Sequence, residues 1–433
     1  MTDFADLGLA KPLLRAIRAE GYTTPSPIQG KAIPHLMAKR DLIGIAQTGT
    51  GKTAAFALPL LHRLAVKKVS PGKKGGTVLI LTPTRELAGQ IADALQSYGR
   101  HIKPKVALIV GGVKVNPQVK ALAGGVDFIV STPGRLIDHL EMGSVQLKDT
   151  RHLVLDEADQ MLDMGFIPAI RRILSHLPSE RQSIMFSATM PTKIRHLARE
   201  MLKKPIEVSV APAARPIERI DQICMKVSHG AKRAILISLL REKEVTRAIV
   251  FCRTKWGAEK LSKLLNRAGL ISASIHGNKS QNQRNAALDK FRKGQVLCLV
   301  ATDVAARGID IDDVSHVYNF ELPNIPDSYV HRIGRTARAG RVGVAISLVD
   351  KTEEEYLRDI RKLTGADIKE MDPPEPAELP GPAQPQQANQ NNKGGQNKPK
   401  RKAGDRRKKR NVARNRRRNQ KKSTKGGGGQ KQA

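Results

Sequence analysis

The stretch Ala46-Gln47-Thr48-Gly49-Thr50-Gly51-Lys52-Thr53 lies between a short apolar run, Leu42–Ile45, and a helix-forming segment, Ala54–Ala65. A glycine-rich turn between a strand and a helix directs backbone N–H groups to one point, where the helix dipole also favours negative charge. Lys52 would reach the β- and γ-phosphates of a nucleotide there, and the Thr53 hydroxyl would hold Mg²⁺. The alternative is a plain strand-to-helix turn, but the string is rare at average residue usage. We therefore predict a phosphate-binding loop, in a relaxed form that has Ala46 in place of the usual glycine.

Length and composition favour a large protein with aliphatic cores and a polyanionic partner. The chain has 433 residues, which leaves room for two or three domains, and only 3% of them are aromatic. The formal charge is +35, and the segment 393–433 holds 18 lysines and arginines against one acid, Asp405. Both this segment and the rest of the chain carry a positive net charge, which favours a partner such as a nucleic acid.

The three cysteines, Cys224, Cys252 and Cys298, stand far apart in apolar surroundings. This pattern predicts buried thiols in a reducing compartment, with no disulfide framework and no metal cluster. The first residues lack the basic start and apolar core of a secretory signal, and no apolar run reaches the length of a membrane span. We expect a soluble cytoplasmic protein without a membrane partner.

The chain after the loop alternates between short apolar runs and helical stretches. Continuous apolar runs separated by helices indicate a parallel sheet that is covered on both faces. The runs are Val78–Leu81, Val106–Val110, Phe128–Val130, Leu153–Leu155 and Ile184–Phe186, with helices at Glu86–His101, Arg135–Leu140 and Ile167–Leu177. Each run ends in a polar cluster, and in a parallel sheet such clusters line one shared surface.

The alternation restarts after a linker that contains Pro212 and Pro216. The second set of strands is Ile220–Val227, Ala248–Phe251, Ala273–Ile275, Val296–Val300, His316–Tyr318 and Val344–Leu348, with helices at Lys232–Arg241, Gly257–Ala268, Gln281–Arg292 and Glu353–Leu363. The predicted division is a first α/β domain over residues 1–209, a linker over 210–219 and a second α/β domain over 220–366. A disordered tail follows over 367–433, rich in Pro, Gln and Asn and then in Lys and Arg.

Three further groups of residues are candidates for chemistry. Gln29 follows two prolines and offers an amide that matches a purine edge, although a solvated glutamine is the more common case. Asp156 and Glu157 end a strand, where one carboxylate can hold Mg²⁺ and the other can activate water; an exposed acidic turn is the alternative.

The third group is an arginine-rich run in the second domain. Arg332, Arg335, Arg338 and Arg341 recur at a spacing of three, which on a helix directs several guanidinium groups to one face. Arginines so placed suit the charge that develops in phosphoryl transfer, and a solvated basic helix is an equal alternative.

The motifs taken together resemble the DEAD-box RNA helicases, and the resemblance runs in order from Phe4 to about Leu348. It rests on Gly21…Gln29, Ala46–Thr53, Pro83-Thr84-Arg85-Glu86-Leu87, Thr132-Pro133-Gly134-Arg135, Asp156-Glu157-Ala158-Asp159, Ser187-Ala188-Thr189, Ala301-Thr302-Asp303…Arg307-Gly308-Ile309-Asp310 and His331…Arg338. The resemblance implies two RecA-like domains, with ATP bound between them and RNA crossing both.

Site roles are carried over from this resemblance. It gives adenine selection to Tyr22 and Gln29, phosphate and Mg²⁺ binding to the loop Ala46–Thr53 and to Asp156, activation of water to Glu157, and a ribose contact to Asp310. Arg335 and Arg338 would be arginine fingers, and Ser187, Thr189, Asp159 and His331 would couple hydrolysis to domain closure. The implied RNA contacts are Pro83, Thr84, Arg85, Gly111, Gly112, Thr132, Pro133, Gly134, Arg135, Arg253, Arg284 and Thr302.

The implied activity is RNA-stimulated ATP hydrolysis with local unwinding of short duplexes, in ribosome assembly or RNA turnover. The short core and basic tail are most similar to the bacterial RhlE-type group, and Asp159 points to local unwinding. The chain departs from the family at Ala337, where glycine is usual; a methyl group there would strain a left-handed backbone. Two other functions are possible: an RNA-annealing chaperone that uses the tail, and a DNA helicase of the same superfamily. The tail is predicted to tether structured RNA, with an address or solubility role as the alternative.

Overall fold

Two seven-stranded parallel sheets organise the part of the chain that the structure describes. The structure is a computed structural model, and it describes residues 3–47, 49–210, 220–306, 314–337, 342–365 and 367–381. The strands of the first sheet are β1 (Leu42–Ile45), β2 (Gly76–Leu81), β3 (Val106–Ile109), β4 (Val126–Ser131), β5 (His152–Leu155), β6 (Gln182–Ser187) and β7 (Ile206–Ser209). The helices around it are α1 (Lys11–Ala19), α2 (Pro27–Met37), α3 (Lys52–Val66), α4 (Arg85–Tyr98), α5 (Val115–Leu122), α6 (Pro133–Glu141), α7 (Ala158–Asp163), α8 (Ile167–Leu174) and α9 (Thr192–Met201).

The second sheet is formed by the following half of the chain. Its strands are β8 (Ile220–Lys226), β9 (Ala248–Cys252), β10 (Ser272–Ile275), β11 (Cys298–Thr302), β12 (His316–Asn319), β13 (Gly343–Val349) and β14 (Lys369–Glu370). Its helices are α10 (Lys232–Leu240), α11 (Lys255–Arg267), α12 (Gln281–Arg292), α13 (Asp303–Ala306), α14 (Pro326–Ile333) and α15 (Glu354–Thr364).

The two sheets have the same topology. Strand order is β3-β4-β2-β5-β6-β1-β7 in the first sheet and β10-β11-β9-β12-β13-β8-β14 in the second, which is the same order shifted by seven. Every paired neighbour runs parallel; Leu42 of β1, for example, lies opposite Ile184 of β6 and Ile206 of β7. The carboxyl ends of the central strands therefore meet at one edge of each sheet, where ligands bind in folds of this kind.

Both faces of each sheet are buried, because successive side chains of a strand point to opposite faces. In β2, Val78 and Ile80 enter one apolar cluster, and Leu79 and Leu81 enter another. The second sheet divides in the same way, with Val250 of β9 on one side and Ile249 on the other. The prediction of two parallel sheets with helices on both faces is confirmed.

The second sheet extends further along the chain than the sequence indicates. Strand β14 lies inside the predicted tail, and it pairs with β8, Lys369 opposite Ile223. Ile368 is 4% exposed and packs beside Cys224. The structure therefore differs from the prediction over 367–381, because one buried isoleucine next to a two-residue strand gives no periodic signal. The rest of the predicted tail, like the predicted linker after residue 210, lies outside the described residues.

The cysteines behave as predicted: Cys224, Cys252 and Cys298 are all buried and none forms a disulfide. Among the helices of the described ranges, none is both long and apolar enough to cross a bilayer.

Candidate active site and nucleic-acid interface

The loop between β1 and α3 is shaped to receive an anion. Gly49 and Gly51 have left-handed backbones, with φ of 82° and 89°, which glycine adopts without strain. A Cβ atom on Gly51 would lie 2.4 Å from Nε2 of Gln29, so a side chain there would collide with that amide. Helix α3 starts at Lys52 with no side-chain cap in the described structure, which leaves its first N–H groups available to a ligand.

Lys52 carries the strongest signal for a ligand in this loop. The residue is 6% exposed, and its Nζ is buried without a hydrogen-bond partner among the described residues. A buried ammonium without a partner is costly, so such a group indicates a negatively charged ligand. Thr53, predicted to hold Mg²⁺, is half-buried one residue further along.

The predicted adenine residue Gln29 is attached to the phosphate loop. It is 2% exposed, so it is not a solvated side chain. Its Nε2 donates to the Gly51 carbonyl at 3.1 Å, and its Oε1 accepts from Ser26 N at 2.8 Å. Ser26 Oγ donates to the Thr50 carbonyl at 2.7 Å. The turn before α2 therefore supports the loop directly.

The remaining residues of the loop and its approach are also placed. Ala46 N donates to the Ser187 carbonyl at 3.1 Å, and Thr50 Oγ1 donates to the Gln47 carbonyl at 2.7 Å. The Tyr22 hydroxyl lies 2.9 Å from that of Tyr98, which holds the Tyr22 ring half-buried. Three predicted residues, Thr48, Asp310 and Arg338, lie outside the described residues.

The acidic pair Asp156-Glu157 follows β5 at the same edge of the sheet. The two residues are 2% and 3% exposed, which rules out a simple solvent-exposed turn. Burial raises the pKa of the Asp156 carboxyl to about 7; the Lys52 ammonium opposes this rise, and the Glu157 carboxylate adds to it. A bound cation would favour the charged carboxylate, so the environment of Asp156 fits a metal ligand.

Glu157 has a left-handed backbone, with φ of 55° and ψ of 53°, and it caps the start of α7. Non-glycine residues in this conformation cost about 1–3 kcal/mol and cluster at functional sites. Where the structure is described, no three His, Cys, Asp or Glu residues come together as a metal cluster. Asp156 and Thr53 offer oxygen ligands of the kind that Mg²⁺ prefers, and Mg²⁺ bound by one or two carboxylates takes its other ligands from water and phosphate.

The predicted coupling residues of the first domain form one hydrogen-bond network. Asp159 Oδ2 accepts from Ala188 N at 3.1 Å, from Thr189 N at 2.9 Å and from Thr189 Oγ1 at 3.1 Å. Ser187 Oγ accepts from Asp159 N at 3.2 Å and donates to the Thr189 carbonyl at 2.7 Å. The loop after β6 is thereby fixed to the start of α7, next to the acidic pair.

Arg332 and Arg335 of the arginine run do not share one helical face, so the prediction is wrong for these two residues, whereas Arg338 and Arg341 lie outside the described residues. Helix α14 ends at Ile333, and Arg332 is 1% exposed. Its guanidinium bonds Asp303 at 2.5 and 2.8 Å, bonds Asn319 at 3.2 Å and lies over the Phe251 ring. Arg332 thus has a structural role, because partners at the start of α13 and the end of β12 hold it in the core.

Arg335 lies beyond the end of the helix. It is 5% exposed, and its Nε donates to the carbonyl of His331 at 3.2 Å. The next described residues include Ala337, whose φ of 55° is left-handed. The backbone at Ala337 therefore has the left-handed conformation that a methyl group strains. Ala337 lies at the end of the turn that contains Arg335.

The predicted RNA contacts of the first domain converge around Arg85. A Cβ atom on Gly112, whose φ is 74°, would lie 1.8 Å from the Arg85 guanidinium, so only glycine allows this approach. Burial lowers the pKa of Arg85, and Arg284 and Arg135 lower it further, whereas Glu86 opposes them. The structure therefore brings three predicted arginines, from both domains, to one surface.

The other predicted contacts surround this surface or start helices. Thr84 Oγ1 accepts from Leu87 N at 3.2 Å and caps α4, and Gly111 lies against Arg85. Pro133 and Gly134 form the first turn of α6 after Thr132, and Arg135 donates to the Val113 carbonyl at 3.3 Å. Pro83 and Thr302 are buried at the ends of β2 and β11.

Arg253 has a different environment. Its guanidinium lies 3.9 Å from Glu321 and 3.6 Å from Glu353, and it stands over the Tyr356 ring. The contacts of Arg253 in the structure are thus with other residues of the second domain.

Sequence reasoning missed a contact between the two domains. Gln281 Nε2 donates to Glu86 Oε1 at 2.9 Å, and Arg284 Nε lies 2.9 Å from the same oxygen. Gln281 and Arg284 share one face at the start of α12, and Glu86 belongs to the first turn of α4. The spacing of three residues between Gln281 and Arg284 is visible in the sequence, but their partner Glu86 lies about two hundred residues away.

Comparison with known proteins decides the family. The profile of the DEAD/DEAH box helicases matches residues 26–197, and that of the helicase conserved C-terminal domain matches residues 231–340. The chain belongs to the DEAD-box family of ATP-dependent RNA helicases. It is 44% identical to the DEAD-box ATP-dependent RNA helicase CshA of Geobacillus kaustophilus over 86% of this chain and 79% of that protein.

Solved structures of DEAD-box helicases agree with the fold. Dbp5 of S. cerevisiae, bound to RNA and ADP BeF3, is 34% identical and has a TM-score of 0.76 over 86% of this chain and 96% of its own. Mss116, bound to ssRNA and UDP-BeF, is 28% identical and has a TM-score of 0.77 over 87% of this chain and 81% of its own. The two sheets of this DEAD-box helicase are therefore tandem RecA-like domains.

Proposed function

We propose that RNA stimulates ATP hydrolysis by this helicase and that ATP and RNA together close its two domains, which locally opens short RNA duplexes. The observation that carries the proposal is the buried Lys52 ammonium without a hydrogen-bond partner among the described residues, next to the buried Asp156-Glu157 pair. This arrangement suits a phosphate chain at the point where water can be activated. The solved structures of Dbp5, with RNA and ADP BeF3, and of Mss116, with ssRNA and UDP-BeF, support the choice of ligands.

The nucleotide roles in this proposal are those that the resemblance to the family implies. Lys52 and the N-terminus of α3 bind the β- and γ-phosphates, Tyr22 and Gln29 select adenine, and Glu157 orients the attacking water. The Thr53 hydroxyl and the Asp156 carboxylate would hold Mg²⁺, which when bound neutralises phosphate charge. Arg335 and Arg338 add positive charge at the transferred phosphoryl group, and Asp310 contacts the ribose.

Domain closure is the step that couples ATP to RNA. ATP can drive it only through a higher affinity for the closed state than for the open one. The Asp159–Ser187–Thr189 network, together with His331, transmits the state of the acidic pair, and the contact of Glu86 with Gln281 and Arg284 joins the domains at the RNA side. Hydrolysis removes the closed-state preference, so the cleft reopens and releases the strand.

The RNA surface is built mostly for phosphates. Arg85, Arg135 and Arg284 converge on it, and phosphate contacts carry affinity without reading sequence. We therefore propose structured RNA without strong sequence preference as the substrate, with 2′-hydroxyl contacts selecting RNA over DNA. A place in ribosome assembly or RNA turnover, in the cytoplasm, is part of this proposal. The RhlE-type subgroup stays a prediction, since the relative named above is a CshA protein.

The test is ATP hydrolysis with and without single-stranded RNA, with a matched DNA strand in parallel. We expect stimulation by RNA alone, and a loss of about 10²–10⁴-fold in Glu157→Gln, the usual contribution of a positioned acid or base. Nucleotide binding should persist in this variant, because Glu157 is assigned to the water and not to the phosphates. Glu355→Gln, an exposed carboxylate on α15, is the matched control.

Two results would contradict the proposal. Equal stimulation by DNA would favour the DNA helicase, and tight RNA binding without hydrolysis would favour the annealing chaperone.

A further inference from the structure

Helix α11 of the second domain exposes an aromatic ring and a row of cations on one side. Trp256 is the only tryptophan of the chain, and it is 68% exposed. Three exposed basic residues, Lys260, Lys263 and Arg267, follow Trp256 on this helix. They are four, seven and eleven residues after it, a spacing that places them on the same helix face. We name these four residues the α11 stripe.

The exposure of Trp256 contrasts with that of most other large aromatic residues of this domain. Phe251, Phe291, Tyr318 and Tyr329 are all 0–1% exposed. A tryptophan would bury about 150–250 Å² if packed, and the domain forgoes that gain here. An exposed ring beside lysines and arginines is the combination with which proteins bind single-stranded nucleic acids, because bases stack on the ring and phosphates contact the cations.

The neighbourhood of the stripe is positively charged. A cavity of about 230 Å³ adjoins it, lined by Lys260, Arg267 and Arg233, with Glu321 as the one acidic residue of its lining and His229 held by Asp350 at 3.0 Å. The nearest acid on α11, Glu259, is already held by Lys279 at 2.9 Å and Ser274 at 2.7 Å. The pair between Lys263 and Glu259 is longer, 3.7 Å, and its lysine is 73% exposed, so this cation stays available.

The stripe begins close to one of the RNA contacts predicted from the sequence. Helix α11 follows β9 directly, and Trp256 stands three residues after Arg253, a proposed RNA contact at the carboxyl end of that strand. From Trp256 to Arg267 the helix rises about 16 Å, at 1.5 Å per residue. A strand that passes Arg253 can therefore continue along α11 over several nucleotides.

We propose that the α11 stripe is an additional RNA site, in which an unpaired base stacks on the Trp256 indole and neighbouring phosphates contact Lys260, Lys263 and Arg267. This inference rests on the proposed function in taking RNA as the substrate. The site extends the grip on the strand beyond the sheet edge, without reading its sequence. Purine-rich strands bind it better than uridylate, because purines stack more strongly.

The sole tryptophan makes the test direct. Titration of the full chain with oligoadenylate, without ATP, should quench the fluorescence of Trp256, and oligouridylate should quench it less. Trp256→Ala should weaken RNA binding by about 5- to 100-fold, as expected for one stacked base, and Trp256→Phe should keep most of the affinity. Glutamine at Lys260, Lys263 and Arg267 together should lower the slope of log K against log salt by about 2, or about 0.7 per phosphate contact. Arg358→Gln, an exposed arginine on α15, should change neither quantity.

The inference is overturned if RNA binds without quenching Trp256 and if Trp256→Ala binds it as tightly as the unmodified chain. Quenching by an acidic peptide but not by RNA would assign the stripe to a protein partner instead. These readouts need no hydrolysis, whereas the proposed function is read from RNA-stimulated ATPase activity. The two can therefore fail separately.

Discussion

A single methyl group strains the turn that carries Arg335. Ala337 has φ of 55°, a conformation that costs an L-residue with a side chain about 1–2 kcal/mol. Neighbouring Thr336 is 2% exposed and donates its hydroxyl hydrogen to the Val314 carbonyl, so the turn cannot relax freely. We expect Ala337→Gly to raise the free energy of unfolding by about 0.5–1 kcal/mol, after the greater chain entropy of glycine in the unfolded state is subtracted. Urea denaturation of the second domain measures this.

The matched control for this prediction is an alanine in an ordinary helix. Ala286 is exposed within α12, where the same change to glycine should lower stability by about 1 kcal/mol. Opposite signs at the two positions would show that backbone strain is the cause. A loss of stability in Ala337→Gly would contradict the inference that Ala337 is strained.

Residues of this site differ in how far sequence could place them. Lys52, Asp156 and Glu157 were predictable, because their motif follows a strand and the strand end fixes their position. Arg332 was not predictable: its spacing matches that of Arg335, and only the placement of Asp303 and Asn319 on other elements shows that it is buried. The sequence could not predict that the backbone of Ala337 is left-handed, since alanine itself favours helical angles. It could predict only that a left-handed backbone there would be strained.

The burial of His152 in strand β5 makes the stability of the protein depend on pH. His152 lies at its start, with Nδ1 3.1 Å from Oε1 of Gln182, and burial lowers the pKa of His152 to about 4, with Arg63 lowering it further and Gln182 opposing. An unfolded histidine titrates near 6.5, so between about pH 6.5 and 4 the unfolded chain binds a proton that the folded chain does not. Stability is therefore complete above pH 6.5 and falls as the pH drops towards 4, by up to about 3 kcal/mol.

Urea unfolding of the first domain at several pH values checks this, in comparison with His152→Gln. The variant should lose less stability between pH 6.5 and 4 than the unmodified chain, because it has no proton to take up at this position. His101→Gln, an exposed histidine, should leave the slope unchanged. Parallel curves for the unmodified chain and His152→Gln would show that His152 is not the group responsible.

Whole elements were predictable where they are long or strongly apolar. The runs that became β2, β5, β6 and β9 were recognised because both faces of these strands are buried, which gives continuous aliphatic sequence. The edge strands β7 and β14 were missed, since Glu207 and Ser209 of β7 are exposed and β14 has only two residues. These two strands gain their structure from their neighbours β1 and β8, and that information is not local to their own sequence. The edge strands at the opposite ends of the sheets, β3 and β10, were recognised from their sequence.

The repeated topology of the two sheets explains how one scaffold serves two tasks. The connection after β1 contains Gly49 and Gly51, and Lys52 follows at the start of α3. The equivalent connection after β8, Val227–Ala231, has one glycine, and the lysine that starts α10, Lys232, is buried in ion pairs with Asp350 and Glu353. The second domain thus keeps the sheet but not the glycine-rich loop, and the residues proposed to bind ligands there are arginines and the α11 stripe. Fold and chemistry are separable here, since the same strand order carries both.

The charge of the whole molecule gives the last prediction. Residues 393–433 carry 18 lysines and arginines against one acid, and this density favours RNA through counterion release. Deletion of this segment should weaken RNA binding and flatten its dependence on salt, by about 0.7 in slope for each phosphate of a single strand that the segment had neutralised. Hydrolysis at saturating RNA should be unchanged, because the nucleotide residues all precede the deletion.

Filter binding and ATPase assays over a range of salt concentrations measure both effects. A variant in which a neutral Gly/Ser segment of equal length replaces residues 393–433 separates charge from chain length, and it should behave as the deletion does. An unchanged salt slope in the deletion would assign RNA affinity to the two RecA-like domains alone. A lower rate at saturating RNA would mean that the segment acts on closure itself, so that its positive charge takes part in the catalytic cycle.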